Sequence, residues 1–268
     1  MSAALESHFN GYRSALITGA SSGIGMAYAE RLAALGLDLV LVARSTDKLE
    51  ALARRLGKDG CRAEVVSLDL AAANPGRKLA KAVEALGMPV DLLVNNAGFG
   101  TVGPFHKQSA ARESQELKLN TLAVLDLTHT FLPAMLARGQ GAIINVASVA
   151  AFQPLPYMAV YGATKAFVLS LSEALRAEYR AQGIRVQCLC PGPVDTGFFE
   201  ATGNSRLRGA VPKPAMMTPE RVVERSLKAL VKGEGVVVPG PQNQALAWIS
   251  KLAPRDMLAA VTARVMKR

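Results

Sequence analysis

The chain has 268 residues, half of them hydrophobic and only 19% charged, which excludes a disordered or collagen-like polymer and suits one large domain with a buried core. Its formal charge of +10 comes from 31 basic and 21 acidic residues. The basic residues are scattered, apart from small groups at 206–208 and 255–268, so the charge suits an anionic ligand and a solvated surface rather than nucleic acid.

In chain order, residues 1–13 lack a basic start followed by an apolar core, so no secretory signal is expected, and no apolar run is long enough to span a membrane. A first strand is predicted over 13–18. It runs into the loop Thr18-Gly19-Ala20-Ser21-Ser22-Gly23-Ile24-Gly25, then a helix to about residue 35. Gly19 suits a tight turn, Gly23 lets backbone amides near a pyrophosphate, and Gly25 allows close packing of helix and sheet. The free N–H groups at the helix start, around Ser21, Ser22 and Ile24, then face the anion.

A second strand covers 38–43 and a charged helix 46–57. Two side chains compete to choose the nucleotide: an acid at the strand end would hold the 2′-hydroxyl of NAD, an arginine the 2′-phosphate of NADP. Asp38 begins the strand, about 17 Å from the ribose end at roughly 3.3 Å per residue. Arg44 follows the strand directly, with Ser45 beside it, so NADP(H) is the expected cofactor. After a third strand at 63–68, Asp69 reads equally as an adenine partner or a turn acid. A helix closing at Gly87 and a strand at 91–94 lead to Asn95-Asn96-Ala97-Gly98, where small residues would let the backbone pass the adenosine and the asparagines tie strands together.

One long helix is expected over 110–138, a fifth strand over 141–146, a helix over 157–182, a sixth strand over 184–190 and a short seventh at 235–238. These continuous apolar runs point to strands buried on both faces. The fold class is therefore α/β: one Rossmann-type, doubly wound parallel sheet of about seven strands with helices on both faces, ligands binding at the strand carboxyl ends. Residues 1–240 read as the catalytic domain and 241–268 as its helical tail.

Tyr161 and Lys165, four apart on a helix, share a face. A phenol with an ordinary pKa of about 10 needs a neighbouring ammonium to exchange protons near neutrality. Ser148 follows the fifth strand, thirteen residues before Tyr161, so hydroxyl and phenol can converge on a carbonyl oxygen. Tyr157 has Tyr161 rather than a lysine four residues on, and is assigned to the substrate wall with Phe152, Phe198 and Phe199. The stretch 195–219, which also carries Met216 and Met217, is the expected lid. This apolar surrounding suits a lipophilic aldehyde or ketone, unless the side chains merely pack the lid. Cys188 and Cys190 share a strand face, an unlikely disulfide. With Cys61 they suggest reduced thiols and a cytoplasmic protein. His8, His106 and His129 lack ligand spacing, so no metal is expected.

Together, TGASSGIG, Asp69, NNAG, KLNTLAV, Ser148, YGATK and PGPVDT resemble the short-chain dehydrogenase/reductase family in its compact form, over about 14–238. The resemblance implies a tetrad of Asn120, Ser148, Tyr161 and Lys165, with Asn120 holding a helix kink and a water that relays protons to the lysine. It also implies that Pro191, Gly192, Val194 and Thr196 lie along the nicotinamide side, that Tyr161 and Lys165 touch cofactor, and that the LVLVARS context is NADP-preferring. A homodimer or homotetramer on the two long helices follows from it. The tail could cover the pocket, join subunits or rest on a membrane, with subunit packing the first choice. The alternative function is a cofactor-binding regulatory protein without turnover, but no tetrad member is missing.

Overall fold

Apolar runs at regular intervals along the chain become seven strands: β1 (Ser14–Thr18), β2 (Asp38–Ala43), β3 (Ala63–Ser67), β4 (Leu92–Asn95), β5 (Gly141–Val146), β6 (Ile184–Leu189) and β7 (Val236–Val237). They form one sheet in the order β3-β2-β1-β4-β5-β6-β7, and every pairing is parallel. The computed structural model describes residues 3–9, 11–202 and 216–266.

Side-chain alternation along the strands divides the core in two. Ala15, Ile17, Leu39 and Leu41 pack with α2 (Gly23–Ala33), α3 (Thr46–Gly57) and α9 (Pro219–Val231), whose Leu32, Leu49 and Leu227 are fully buried. Leu16, Val40, Leu93 and Ile143 face the opposite layer, against Leu79 of α4 (Pro75–Leu86) and Leu127, Phe131 and Met135 of α6 (Ala123–Arg138). Burial on both faces explains why the strands read as unbroken apolar runs rather than alternating ones. The remaining helices are α1 (Ala3–Phe9), α5 (Ala110–Leu117), α7 (Ala159–Tyr179), α8 (Phe198–Ala201), α10 (Pro241–Leu252) and α11 (Arg255–Met266).

The register brings the strand ends level. Thr18 pairs with Val42, Ala43 with Ser67, Asn95 with Asn145 and Val146 with Leu189. Gly19, Arg44, Asn96 and Ala147 therefore emerge at one edge, where the strand order reverses between β1 and β4. That edge is where a doubly wound sheet leaves a crevice.

Two expected helices differ in form. The single helix over 110–138 is divided: α5 and α6 are joined by a π-helical turn, Lys118–Leu122. The wide turn carries both Asn120 and Thr121 inward, where they are buried. The helix expected from 157 begins at Ala159 and ends at Tyr179, with a 3-10 turn Arg180–Gln182 after it. Tyr157 lies before it with φ +67°, a left-handed conformation that no helix accepts.

Candidate active site

Glycine shapes the floor of the crevice. Gly19 has φ +66°, open to it because it lacks a Cβ. A methyl group on Gly25 would run into the Gly19 carbonyl oxygen, so the start of α2 lies flat against the turn. Asn96 fixes this turn from β4: its Nδ2 donates to the Thr18 carbonyl (2.9 Å) and its N–H to Thr18 Oγ1 (2.9 Å). Asn95 Nδ2 donates to Asn145 Oδ1 (2.9 Å), tying β4 to β5 as expected.

A cleft of about 670 Å³ runs along the strand ends. One end is lined by Gly19, Ser21, Ser22, Gly23, Ile24, Arg44, Ser45, Asp69, Asn96, Ala97 and Gly98, and the far side by Pro191, Gly192, Val194 and Thr196. Of the expected cofactor residues only Gly25 does not line it, since Gly25 lies beneath the turn. Asp69 serves its own turn, accepting from Ala71 N–H (3.0 Å), while still bordering the cleft. The cradle of small residues, free helix N-terminus and arginine fits a phosphorylated dinucleotide.

Ser148, Tyr161 and Lys165 line the cleft together. Ser148 caps a 3-10 turn (Val149–Phe152), its Oγ accepting from Ala150 N–H (3.1 Å). Burial pushes the Tyr161 phenol up to about 12, opposed by a hydrogen-bonding interaction with Ser148. Burial also brings Lys165 down to about 8. The Lys165 Nζ donates to the Val146 carbonyl (2.8 Å) and lies 5.7 Å from the Tyr161 ring centre. The expected depression of the phenol by this ammonium is corrected: burial raises the phenol, and the amine is held to the strand end.

Asn120 stands beside them. Its Nδ2 donates to the Phe99 carbonyl (2.8 Å) and to Thr164 Oγ1 (3.1 Å), and its Oδ1 accepts from Phe99 N–H (3.2 Å). One side chain thus ties the π-helical turn to the loop after β4 and to α7.

The apolar end departs from expectation. Phe198 and Phe199 line the cleft, and the Phe198 ring packs 5.3 Å from that of Tyr161. Phe152 and Tyr157 do not line it. Phe152 turns towards Lys251, whose Nζ lies 5.8 Å from its ring, and the left-handed backbone of Tyr157 directs its carbonyl to Gly103 N–H. Gln153, Leu155 and Met158 take their places. Met158, the residue before α7, is buried in one cluster with Tyr161. The lid is described only in part: residues 203–215 and the basic group 206–208 lie outside the described residues, and Met217 pairs with Val194 and packs in the core.

Sequence reading also missed Glu116. It is fully buried on α5, with Oε2 accepting from the Thr101 N–H (2.9 Å) and hydroxyl (2.8 Å), and burial raises its carboxyl.

Known proteins resemble this chain over most of its length. The family model described as short chain dehydrogenase matches residues 13–206. The chain is 31% identical over 261 residues to very-long-chain 3-oxoacyl-CoA reductase-A of Danio rerio, covering 94% of this chain and 78% of that one. It is 34% identical over 222 residues to 17-beta-hydroxysteroid dehydrogenase type 3 of Mus musculus, covering 82% and 69%. Among solved structures, a short-chain dehydrogenase from Sphingobium yanoikuyae in complex with NADPH superposes with a TM-score of 0.80 at 36% identity, over 95% of each chain. The family model covers well over half of the chain, and relatives above 30% identity cover most of it: the chain belongs to the short-chain dehydrogenase family of oxidoreductases.

Proposed function

We propose that the protein is an NADP(H)-dependent oxidoreductase that interconverts a lipophilic ketone or aldehyde and its alcohol. The convergence of Ser148, Tyr161 and Lys165 inside a cleft that also holds the glycine turn carries this reading. Arg44 and Ser45, directly after β2, border the end where a ribose phosphate would lie, and the Sphingobium relative was captured with NADPH. When bound, the dinucleotide supplies the hydride.

The residues of the chain supply the proton and the placement. Tyr161 holds its proton at neutral pH and gives it to the substrate oxygen as charge develops there. Ser148 steadies the same oxygen by a second hydrogen bond. Lys165 keeps a positive charge beside the phenolate so formed, and Asn120 is a positioning residue that fixes the surrounding backbone. Leu155, Met158, Phe198 and Phe199 exclude water and suit an apolar substrate. Residues 241–268 belong to the same domain as 1–240, supported by the Ser250–Gln153 (2.9 Å) and Thr262–Pro154 (3.1 Å) hydrogen bonds. A cytoplasmic location is supported by the free thiols of Cys61, Cys188 and Cys190, and a homodimer or homotetramer by apolar side chains exposed on α7 and beside α5.

Tyr161→Phe tests the reading. Turnover of lipophilic carbonyls should fall by roughly 10²–10⁴-fold, while titration of nicotinamide fluorescence shows unchanged NADPH binding. The same titration on Arg44→Ala should show NADPH weakened roughly tenfold to a hundredfold and NADH barely changed. Wild-type turnover in the first variant, or equal loss for both nucleotides in the second, overturns the assignment.

A further inference from the structure

We infer that α10 and α11 form a docking surface for an anionic lipid bilayer. On α10, Ala247 and Ser250 turn inward and are buried. The opposite side carries Ala245, Trp248, Ile249 and Leu252, at the i, i+3, i+4, i+7 spacing of a single helical face. Trp248 is 69% and Leu252 80% exposed. On α11, Leu258 is buried while Met257, Val261 and Val265, spaced by four, are exposed. α10 is therefore amphipathic in reverse, with its apolar side turned away from the protein, and α11 adds exposed apolar side chains beside its buried Leu258. α3 shows the ordinary arrangement, with Leu49, Leu52 and Leu56 buried and its charges outward.

The charge around this surface selects its occupant. From 241 to 268 the sequence contains Lys251, Arg255, Arg264, Lys267 and Arg268 but a single acid, Asp256. Against a second copy of the same face these cations would meet like charges. Against anionic headgroups they are complemented, while the apolar side chains enter the acyl boundary and the indole sits at headgroup level. No described helix is long and apolar enough to cross a membrane, so the protein would lie on the surface.

The position of the surface gives it a use. Ser250 and Thr262 bond the segment at Gln153 and Pro154, and Met266 packs against the cluster of Ala150, Met158 and Tyr161. The docked helices therefore border the apolar end of the cleft. A substrate dissolved in the bilayer would enter there, a consequence that rests on the lipophilic-carbonyl reading.

Trp248 is the sole tryptophan, so its emission reports the surface without any need for turnover, and a failure of the enzymatic reading would not mimic a failure here. The full chain is titrated with vesicles of phosphatidylcholine, alone or mixed with phosphatidylserine, alongside co-sedimentation. The expected result is a blue shift and sedimentation with the anionic vesicles, roughly a hundredfold weaker on neutral ones, suppressed by salt. Ile249→Glu/Leu252→Glu should abolish both while leaving the circular dichroism unchanged. Absence of the shift on anionic vesicles, or equal binding to both compositions, overturns the inference. So does a shift produced by raising protein concentration alone with a doubled mass in light scattering, which would make the surface an interface between copies.

Discussion

Burial acts on the two titrating groups of the site in opposite directions, and both shifts favour the neutral form. Tyr161 keeps its proton up to about 12, and Lys165 releases one from about 8 rather than its ordinary 10.5. An amine whose pKa is lowered on folding costs stability while it is charged, below about 8. That cost is relieved as pH rises from about 8 to 10.5, because the unfolded chain binds the extra proton there. The melting temperature of the wild type should therefore rise relative to that of Lys165→Met across this alkaline window. Parallel curves for the two proteins would show that the buried amine is not depressed. The identities of these residues were legible, because a four-residue spacing on a helix fixes a common face. The directions of Phe152 and Tyr157 were not: one lies on a 3-10 turn and the other in a left-handed conformation, and neither repeats with a period that a sequence displays. The burial of Glu116 was hidden for a different reason, since its partner Thr101 comes from another element.

Between elements, a buried polar chain links α2 and α9 to β6. The Tyr28 hydroxyl donates to Ser226 Oγ (2.5 Å), which donates to Gln187 Oε1 (2.5 Å), and Gln187 Nε2 returns a bond to the Ser226 carbonyl (3.1 Å). All three side chains are fully buried. Ser226→Ala strands both the phenol and the amide oxygen, at a cost of roughly 1–3 kcal/mol. Tyr28→Phe leaves the Ser226–Gln187 bond in place and should cost less. Urea denaturation of the two variants gives the comparison, and a reversed order would remove Ser226 from the centre of the chain. Most element boundaries were readable within a residue or two; β2, α3 and β5 fell where expected. The π-helical turn was not readable. It is held by Asn120 bonding to Phe99 and Thr164, 21 and 44 residues distant, and local periodicity carries no trace of such partners.

At the scale of the whole molecule, two exposed apolar surfaces have different surroundings. Leu117, Leu122 and Phe167 are exposed around α5, the π-helical turn and α7, on the two long helical segments expected to join subunits. On the proposed dimer or tetramer, Leu122→Glu/Phe167→Glu should reduce the mass measured by light scattering to that of one 28.3 kDa chain, and a wild-type mass of one chain would remove the assembly. A mass that stays multimeric would move the subunit contact elsewhere. The α10–α11 surface belongs instead to a segment with five cations and one acid in its sequence, which suits lipid rather than a copy of itself. Composition announced the basic excess, but only the fold shows that α10 turns its apolar side outward, because a wheel of residues does not say which side the body occupies.

The π-helical turn also acts as a phase shifter. Each residue of an α-helix advances the side-chain direction by about 100°, so one extra residue in a turn offsets everything after it by that angle. Before the turn, Glu116 points to Thr101; within it, Asn120 points to Phe99; after it, Leu127, Phe131 and Met135 point to the sheet. A regular helix through 118–122 could satisfy the carboxylate and amide, or the apolar stripe, but not both. The same irregularity lets one continuous segment serve the chemistry at one end and the core at the other.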